Sequence, residues 1–206
     1  MEPALRERIT SAQDSLEKAF IFARVGNYID FGAMNNVDEE TFISLFDDAG
    51  LSENDLRTYD SFIRQCKDAG SFLLIADNCG EIVLDKLLLE ELKKAFPQME
   101  MTVMVRGGEV LNDASPEDAY YVGIDKVAAV IPNGLPISGT VPDKLSDEAK
   151  FAVRNADVIL AKGQGNYESL SGQGIHVFYS FLCKCPLFTE KFNVPKLTGM
   201  FIEELG

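Results

Sequence analysis

Residues 71–85 read Ser71-Phe72-Leu73-Leu74-Ile75-Ala76-Asp77-Asn78-Cys79-Gly80-Glu81-Ile82-Val83-Leu84-Asp85, and they set the class of the fold. Positions 72–76 form a continuous apolar run followed at once by a glycine and a helical pattern, the mark of a parallel strand covered on both faces. Gly80 permits a sharp turn. From Glu81 onward, Ile82, Leu84, Leu87, Leu88 and Leu92 recur at helical spacing, and Lys93 and Lys94 close the run just before Pro97. Asp77 and Asn78 thus stand between a strand's carboxyl end and a helix's amino end, where open α/β sheets bind ligands. Asn78 followed by Glu81 also fits an N-cap and capping box, which needs no function. That reading leaves Asp77 unexplained, because an acid ending a buried strand is costly unless it is paired, hydrogen-bonded or metal-bound.

Outward from this stretch the pattern repeats. Residues 101–105 form a second apolar strand, followed by Arg106-Gly107-Gly108 and then Asn112-Asp113. Ser115 and Pro116 make a helix start of their own, N-cap and first-turn proline, which leaves Asn112 and Asp113 to be accounted for. A third run at 127–131 ends in Pro132-Asn133-Gly134, and a helix near 146–155 leads to a fourth run at 157–161. That run ends in Lys162-Gly163-Gln164-Gly165-Asn166-Tyr167-Glu168. The two glycines fall short of a dinucleotide fingerprint, lacking its third glycine and lying late in the chain, and suit a phosphate-like anion better. A last strand is expected near 175–181, and a short helix at the C-terminus. Upstream, residues 4–24 carry Leu5, Ile9, Ala12, Leu16, Ala19, Phe20 and Ala23 at helical spacing, and helices are expected near 39–49 and 53–69. Between the first two, Gly26-Asn27-Tyr28-Ile29-Asp30-Phe31-Gly32 reads as punctuation, with Asn27 and Asp30 as turn formers.

These segments describe a three-layer, Rossmann-like α/β domain over residues 70–206 with a mostly parallel sheet, and a small helical N-terminal region over 1–69. The 206 residues are 46% hydrophobic, enough for a sizeable core. Nineteen basic against 33 acidic residues give a net charge of −14. With no Lys/Arg cluster, that balance speaks against nucleic acid or an anionic membrane as the main partner. No apolar run is long enough to span a bilayer and the start lacks a secretory pattern, so the expected location is cytoplasmic. Cys66, Cys79, Cys183 and Cys185 match no zinc or Cys-x-x-Cys spacing and read as free thiols. The single histidine, His176, lies in an apolar segment and reads as a core or edge residue.

Collected on one edge of such a sheet, Asp77, Asn78 and Asp113 offer oxygen donors without nearby His or Cys, a set that suits a hard divalent ion such as magnesium or manganese. Lys162 would add a positive charge across the same crevice. A metal and a lysine around a space make a phosphoryl site, the lysine offsetting developing charge.

Together, Asp77-Asn78-Cys79-Gly80-Glu81-Ile82, the Val105-Arg106-Gly107 turn leading to Asn112-Asp113, Lys162-Gly163-Gln164-Gly165-Asn166-Tyr167-Glu168 and Lys184-Cys185-Pro186 resemble the damage-control phosphatase family, also described as protein-glutamate methyltransferase-like. The resemblance runs from about Gly26 nearly to the C-terminus, and relative to the family the chain begins partway through the helical N-terminal region. It implies a phosphatase of small phosphorylated metabolites that depends on a divalent ion (magnesium or manganese, with cobalt or nickel as further options), held by Asp77, Asn78 and Asp113. It further implies catalytic roles for Asp77, Asp113 and Lys162, with Lys162 contacting the phosphate. Asn27 and Asp30 match a family element near the substrate, and Glu81 and Asn166 are further substrate-binding candidates. Two alternatives stand beside it: carboxyl methyl transfer, suggested by the family's other name, and metal or metabolite binding without turnover.

Overall fold

A computed structural model describes residues 2–29, 46–47 and 49–206. The elements are α1 (Glu2–Ser11), α2 (Ser15–Ile29), α3 (Glu53–Asp68), β1 (Ser71–Ile75), α4 (Ile82–Ala95), β2 (Glu100–Val105), α5 (Pro116–Val122), β3 (Ala129–Pro132), α6 (Asp147–Asn155), β4 (Val158–Lys162), α7 (Gln164–Leu170), β5 (Val177–Leu182), α8 (Pro186–Phe192) and β6 (Gly199–Glu204). The strands make one sheet in the order β3-β2-β1-β4-β5-β6. All neighbours run parallel except β5 and β6. The fold is the mixed α/β architecture expected from the strand–helix alternation. After β1 the chain builds outward through β2 and β3, then returns to lay β4 on the other side of β1. The topological switch point therefore lies between β1 and β4.

Side chains along each strand alternate between two cores. Phe72 and Leu74 of β1, with Val103, Leu160 and Phe178, face a core shared with α2, α3, α4 and α5. Leu73 and Ile75, with Met104, Ile159, Tyr179 and Phe181, face a second core under α6, α7 and α8. Phe62 of α3 is fully buried at the centre of the first, its ring 5.3–6.4 Å from those of Phe20, Tyr59, Phe72, Phe178 and Phe201. The described helices of residues 1–69 thus share one core with the sheet. Arg24 of α2 adds a buried ion pair to Asp55 of α3 at 2.8 Å.

Three expectations need correction. The helix expected over 4–24 is two helices, because Asp14 accepts a hydrogen bond from the Glu17 amide at 2.9 Å and so starts a new one. Gly26 to Ile29 are not punctuation but the last turn of α2. Gly26 is there for close approach: a Cβ on it would stand 2.8 Å from Leu84 Cδ1 and 3.0 Å from Glu81 Cβ of the loop and helix beneath. The expected C-terminal helix is strand β6, paired from Val177↔Glu204 to Leu182↔Gly199. Phe201 closes the aromatic cluster from it, at 4.5 Å from Phe20, and this burial outweighs local preference. The helix expected over 39–49 lies largely outside the described residues. Among those described, no helix is long and apolar enough to cross a membrane, and the four cysteines are free thiols.

Phe62→Ala should cost about 3–5 kcal/mol through the cavity it leaves among five rings. Urea unfolding followed by circular dichroism reads this out, with a loss under about 1 kcal/mol counting against the central place given to this ring.

Candidate active site

The site grows from the end of β1. Ala76 donates its amide to Met104 O at 2.9 Å, still in register with β2, and Asp77 is the first residue beyond the strand. Its carboxylate lies against the turn that leaves β4. Gly163 has φ +79°, and a Cβ built on it would stand 1.9 Å from Asp77 Oδ2, so no other residue fits there while Asp77 keeps its place. On the opposite side, main-chain bonds tie the loop after β2 to residues 77–79. Ala114 N donates to Asp77 O at 2.7 Å, Cys79 N donates to Asn112 O at 2.8 Å, and Asn78 and Asp113 form an isolated antiparallel bridge. The main chain therefore brings together the three residues that the sequence offers as metal donors.

Two buried cations organise the acids. Arg106, 1% exposed at its side chain, forms an ion pair with Asp113, lies 3.7 Å from Asp77 Oδ1, and donates to Thr140 Oγ1 and Asn166 Oδ1 at 3.3 and 3.2 Å. Asn166 completes the bracket by donating to Ala76 O and Lys162 O at 3.1 and 2.7 Å. Lys162 is equally buried, and its ammonium contacts Asp85 at 2.7 Å, Ala23 O at 2.9 Å and Glu81 at 3.4 Å. It thus sits behind the acidic corner, under α2, with three protein acceptors around it. Asn27, from the last turn of α2, donates to Asp77 Oδ2 at 3.1 Å and to Glu81 Oε2 at 2.9 Å, joining the two clusters.

The capping role open to Asn78 and Glu81 is not what the structure shows. Glu81 is the N-cap of α4 but makes no side-chain cap bond. Its carboxylate turns inward to Asn27 and Lys162, and Asn78 Nδ2 donates to Asp77 Oδ2 at 3.1 Å. Asp30 lies outside the described residues. Two members of the cluster were not singled out from sequence: Arg106, quoted only as part of a turn, and Asp85. The signal for Asp85 was its place among Ile82, Leu84, Leu87 and Leu88, since an acid four residues after Glu81 shares its helix face and here meets the same lysine.

Electrostatically the corner is short of positive charge. Among the described residues, Asp77, Glu81, Asp85 and Asp113 are paired with the cations Arg106 and Lys162. Burial, and then the Glu81 charge, push the Asp77 carboxyl up to about 7, against the opposing pull of Arg106. Burial likewise pushes Asp85 up to about 6, opposed by Lys162. Burial also works against the Lys162 ammonium, but Asp85 and Glu81 outweigh it and hold its proton more tightly than usual. Asn27 Oδ1 is buried with no hydrogen-bond partner among the described residues.

Among those residues no three His, Cys, Asp or Glu side chains are placed to hold a metal ion. The oxygen donors at the corner are two carboxylates and the Asn78 carboxamide. Their hardness, the surplus of negative charge and the orphaned Asn27 acceptor fit a hard divalent cation. A separate cavity of about 500 Å³, lined by residues such as Leu145, Val153, Ile159 and His176, lies at the other edge of the sheet, where β4 and β5 begin.

Residues 1–198 match the sequence model of the damage-control phosphatase ARMT1-like domain. The chain is 33% identical over 189 residues to a damage-control phosphatase of Archaeoglobus fulgidus, covering 89% of this chain and 63% of that protein. It is 33% identical over 184 residues to a damage-control phosphatase of Pyrococcus horikoshii, covering 87% and 62%. The chain thus spans about three fifths of the length of these relatives. A crystal structure of a DUF89 family protein from Pyrococcus horikoshii superimposes with a TM-score of 0.82 at 29% identity, over 98% of this chain and 70% of that one.

The two raised acids give a stability profile with a definite sign. A carboxyl that binds its proton more tightly folded than unfolded stabilises the fold at low pH. That contribution fades as pH rises from about 4, the unfolded value, through about 6 for Asp85 and 7 for Asp77. In chelator, the melting temperature should therefore fall between pH 5 and 7.5, and Asp77→Asn should flatten the upper part of the fall. A melting temperature that rises over this range in the wild type would contradict the charge surplus.

Proposed function

The chain belongs to the damage-control phosphatase ARMT1-like family, and from that premise we propose that it is a metal-dependent phosphoric monoester hydrolase acting on small phosphorylated metabolites, sugar phosphates or related esters among them. The observation that carries the reading is the acidic corner at the switch point. There Asp77, Asn78 and Asp113 are fixed by main-chain bonds, with more buried negative charge than Arg106 and Lys162 offset. In this reading those three residues hold a magnesium or manganese ion, with cobalt or nickel able to substitute. When bound, such an ion polarises the phosphoryl oxygens and offsets the charge that builds up as the ester bond breaks.

The remaining residues have roles that follow from their contacts. Arg106 holds Asp113 and Asp77 by charge, and Asn166 and Thr140 keep its guanidinium in place. Asn27 fixes one oxygen of Asp77. Lys162, with its N–H groups directed at Asp85, Glu81 and Ala23 O, acts through those partners and sets the depth of Glu81 beside Asp77. Overall, water adds to phosphorus as the ester P–O bond breaks, the alcohol leaves with a proton, and inorganic phosphate is released. That the two archaeal relatives are damage-control phosphatases favours this reading over methyl transfer or binding without turnover.

The test is phosphate release from a panel of sugar phosphates and an aryl phosphate by metal-stripped protein, with each ion added back. Activity should return with at least one ion, and Asp77→Ala and Asp113→Ala should each lower it by about 100-fold or more. Unchanged turnover in both variants would overturn the assignment.

A further inference from the structure

The loop that delivers Asp113 carries a feature the fold itself does not need. Asp113 N donates to Val110 O at 2.8 Å and closes a turn with Leu111 at its second position. Leu111 has φ +48°, in the left-handed region, where a turn favours Gly or Asn and a branched apolar side chain is disfavoured. Its side chain is not repaid by burial, since Leu111 is 94% exposed. Lone exposed leucines are ordinary on protein surfaces, and left-handed residues occur in ordinary turns. Here the two coincide, two residues before one of the acids of the active-site corner.

The turn is also held firmly. Cys79 N donates to Asn112 O and Ala114 N donates to Asp77 O, so Leu111 is presented from a segment bonded directly to the Asp77–Cys79 loop. The neighbouring loop after β3 is packed against the start of the same connection, at Gly107. Gly107 N donates to Leu135 O at 3.2 Å, and a Cβ on Gly107 would meet Leu135 N at 2.4 Å. Leu135, 38% exposed, is a second apolar side chain on this edge of the sheet. The corner is charged at its base and has apolar side chains on the loops around it.

We propose that Leu111 is a specificity-determining residue that packs on the non-phosphate part of the substrate, and that the preferred phosphoesters carry a ring with an apolar face next to the phosphate. This rests on the phosphatase reading given above. Strain in a sparsely populated backbone region persists where something outside the local segment rewards it, and ligand contact is a common reason. With the phosphate held at the corner through the cation proposed there, a ring attached to it would come within reach of the turn that carries Leu111, whose exposed side chain would lose apolar surface to the contact.

The test uses non-hydrolysable probes, so that it does not depend on turnover. Phenylphosphonate and methylphosphonate are titrated calorimetrically into wild type, Leu111→Asn and Leu111→Gly, each with magnesium present. Wild type should prefer phenylphosphonate by about fivefold or more, the worth of a partly buried leucine. Both variants should narrow that preference to within about twofold, keep their affinity for methylphosphonate, and melt no lower than wild type, because Asn and Gly accept the left-handed backbone. An unchanged preference in the variants would overturn the inference, as would a lower melting temperature with both probes weakened alike, which would make the residue structural. Methylphosphonate binding with no preference for the phenyl probe in wild type overturns it and leaves the phosphatase reading standing. Failure of wild type to bind either probe overturns both.

Discussion

Asp77 Oδ2 occupies the space in which any Cβ on residue 163 would have to stand, 1.9 Å away, and this contact joins the two halves of the sheet at the point where their connections diverge. The rest of the site depends on it. A carboxylate at the end of a buried strand must be compensated, and the surrounding chain supplies the compensation piece by piece: Asn27 from α2, the Asn78 amide, and the guanidinium of Arg106, the residue after β2. Asn27 and Arg106 are each bound in turn to other buried polar groups. The result is a continuous network from Asp113 through Arg106, Asp77, Asn27, Glu81 and Lys162 to Asp85.

Such a network is expensive to bury and gains its value from being complete. Among the described residues four acids face two cations, and the raised Asp77 and Asp85 are how the fold accommodates the difference. A dication at the Asp77–Asp113 side would relieve the same imbalance from outside. The N-terminal helices take part in this as well as in packing. Ala23 O and Asn27 both come from α2 and reach Lys162, Asp77 and Glu81, so the helix that covers the sheet also holds the acids.

Much of this could be read from residue order. The strand runs and the polar residues closing them located β1, β2, β4 and β5, and a parallel sheet brings such ends to one edge whatever the loop details, which is why Asp77, Asn78 and Asp113 could be grouped. What escaped depended on contacts between distant segments. Gly26 resembles a helix stop until Glu81 and Leu84 are seen pressed against it. Residues 199–204 are a strand because β5 offers an open edge and Phe201 a place in an aromatic cluster, neither of which is visible locally. Asn78 and Glu81 have the spacing of a capping box, but a buried lysine 81 residues away claims the Glu81 carboxylate instead. Lys162 reads as a free charge beside a glycine turn, and only the placement of Asp85 and Ala23 O shows where its ammonium goes.

The most direct measurement of the central claim, that the corner has more acids than its two cations offset and would take a dication, is a calorimetric titration of manganese into metal-stripped protein at pH 6, in two buffers of different ionisation enthalpy. Because Asp77 holds its proton up to about pH 7 without metal and must lose it to coordinate an ion, binding should release up to about one proton per ion. Release should shrink toward zero at pH 8 and be absent in Asp77→Asn. Absence of manganese binding, or binding at pH 6 with no proton released, would contradict the account.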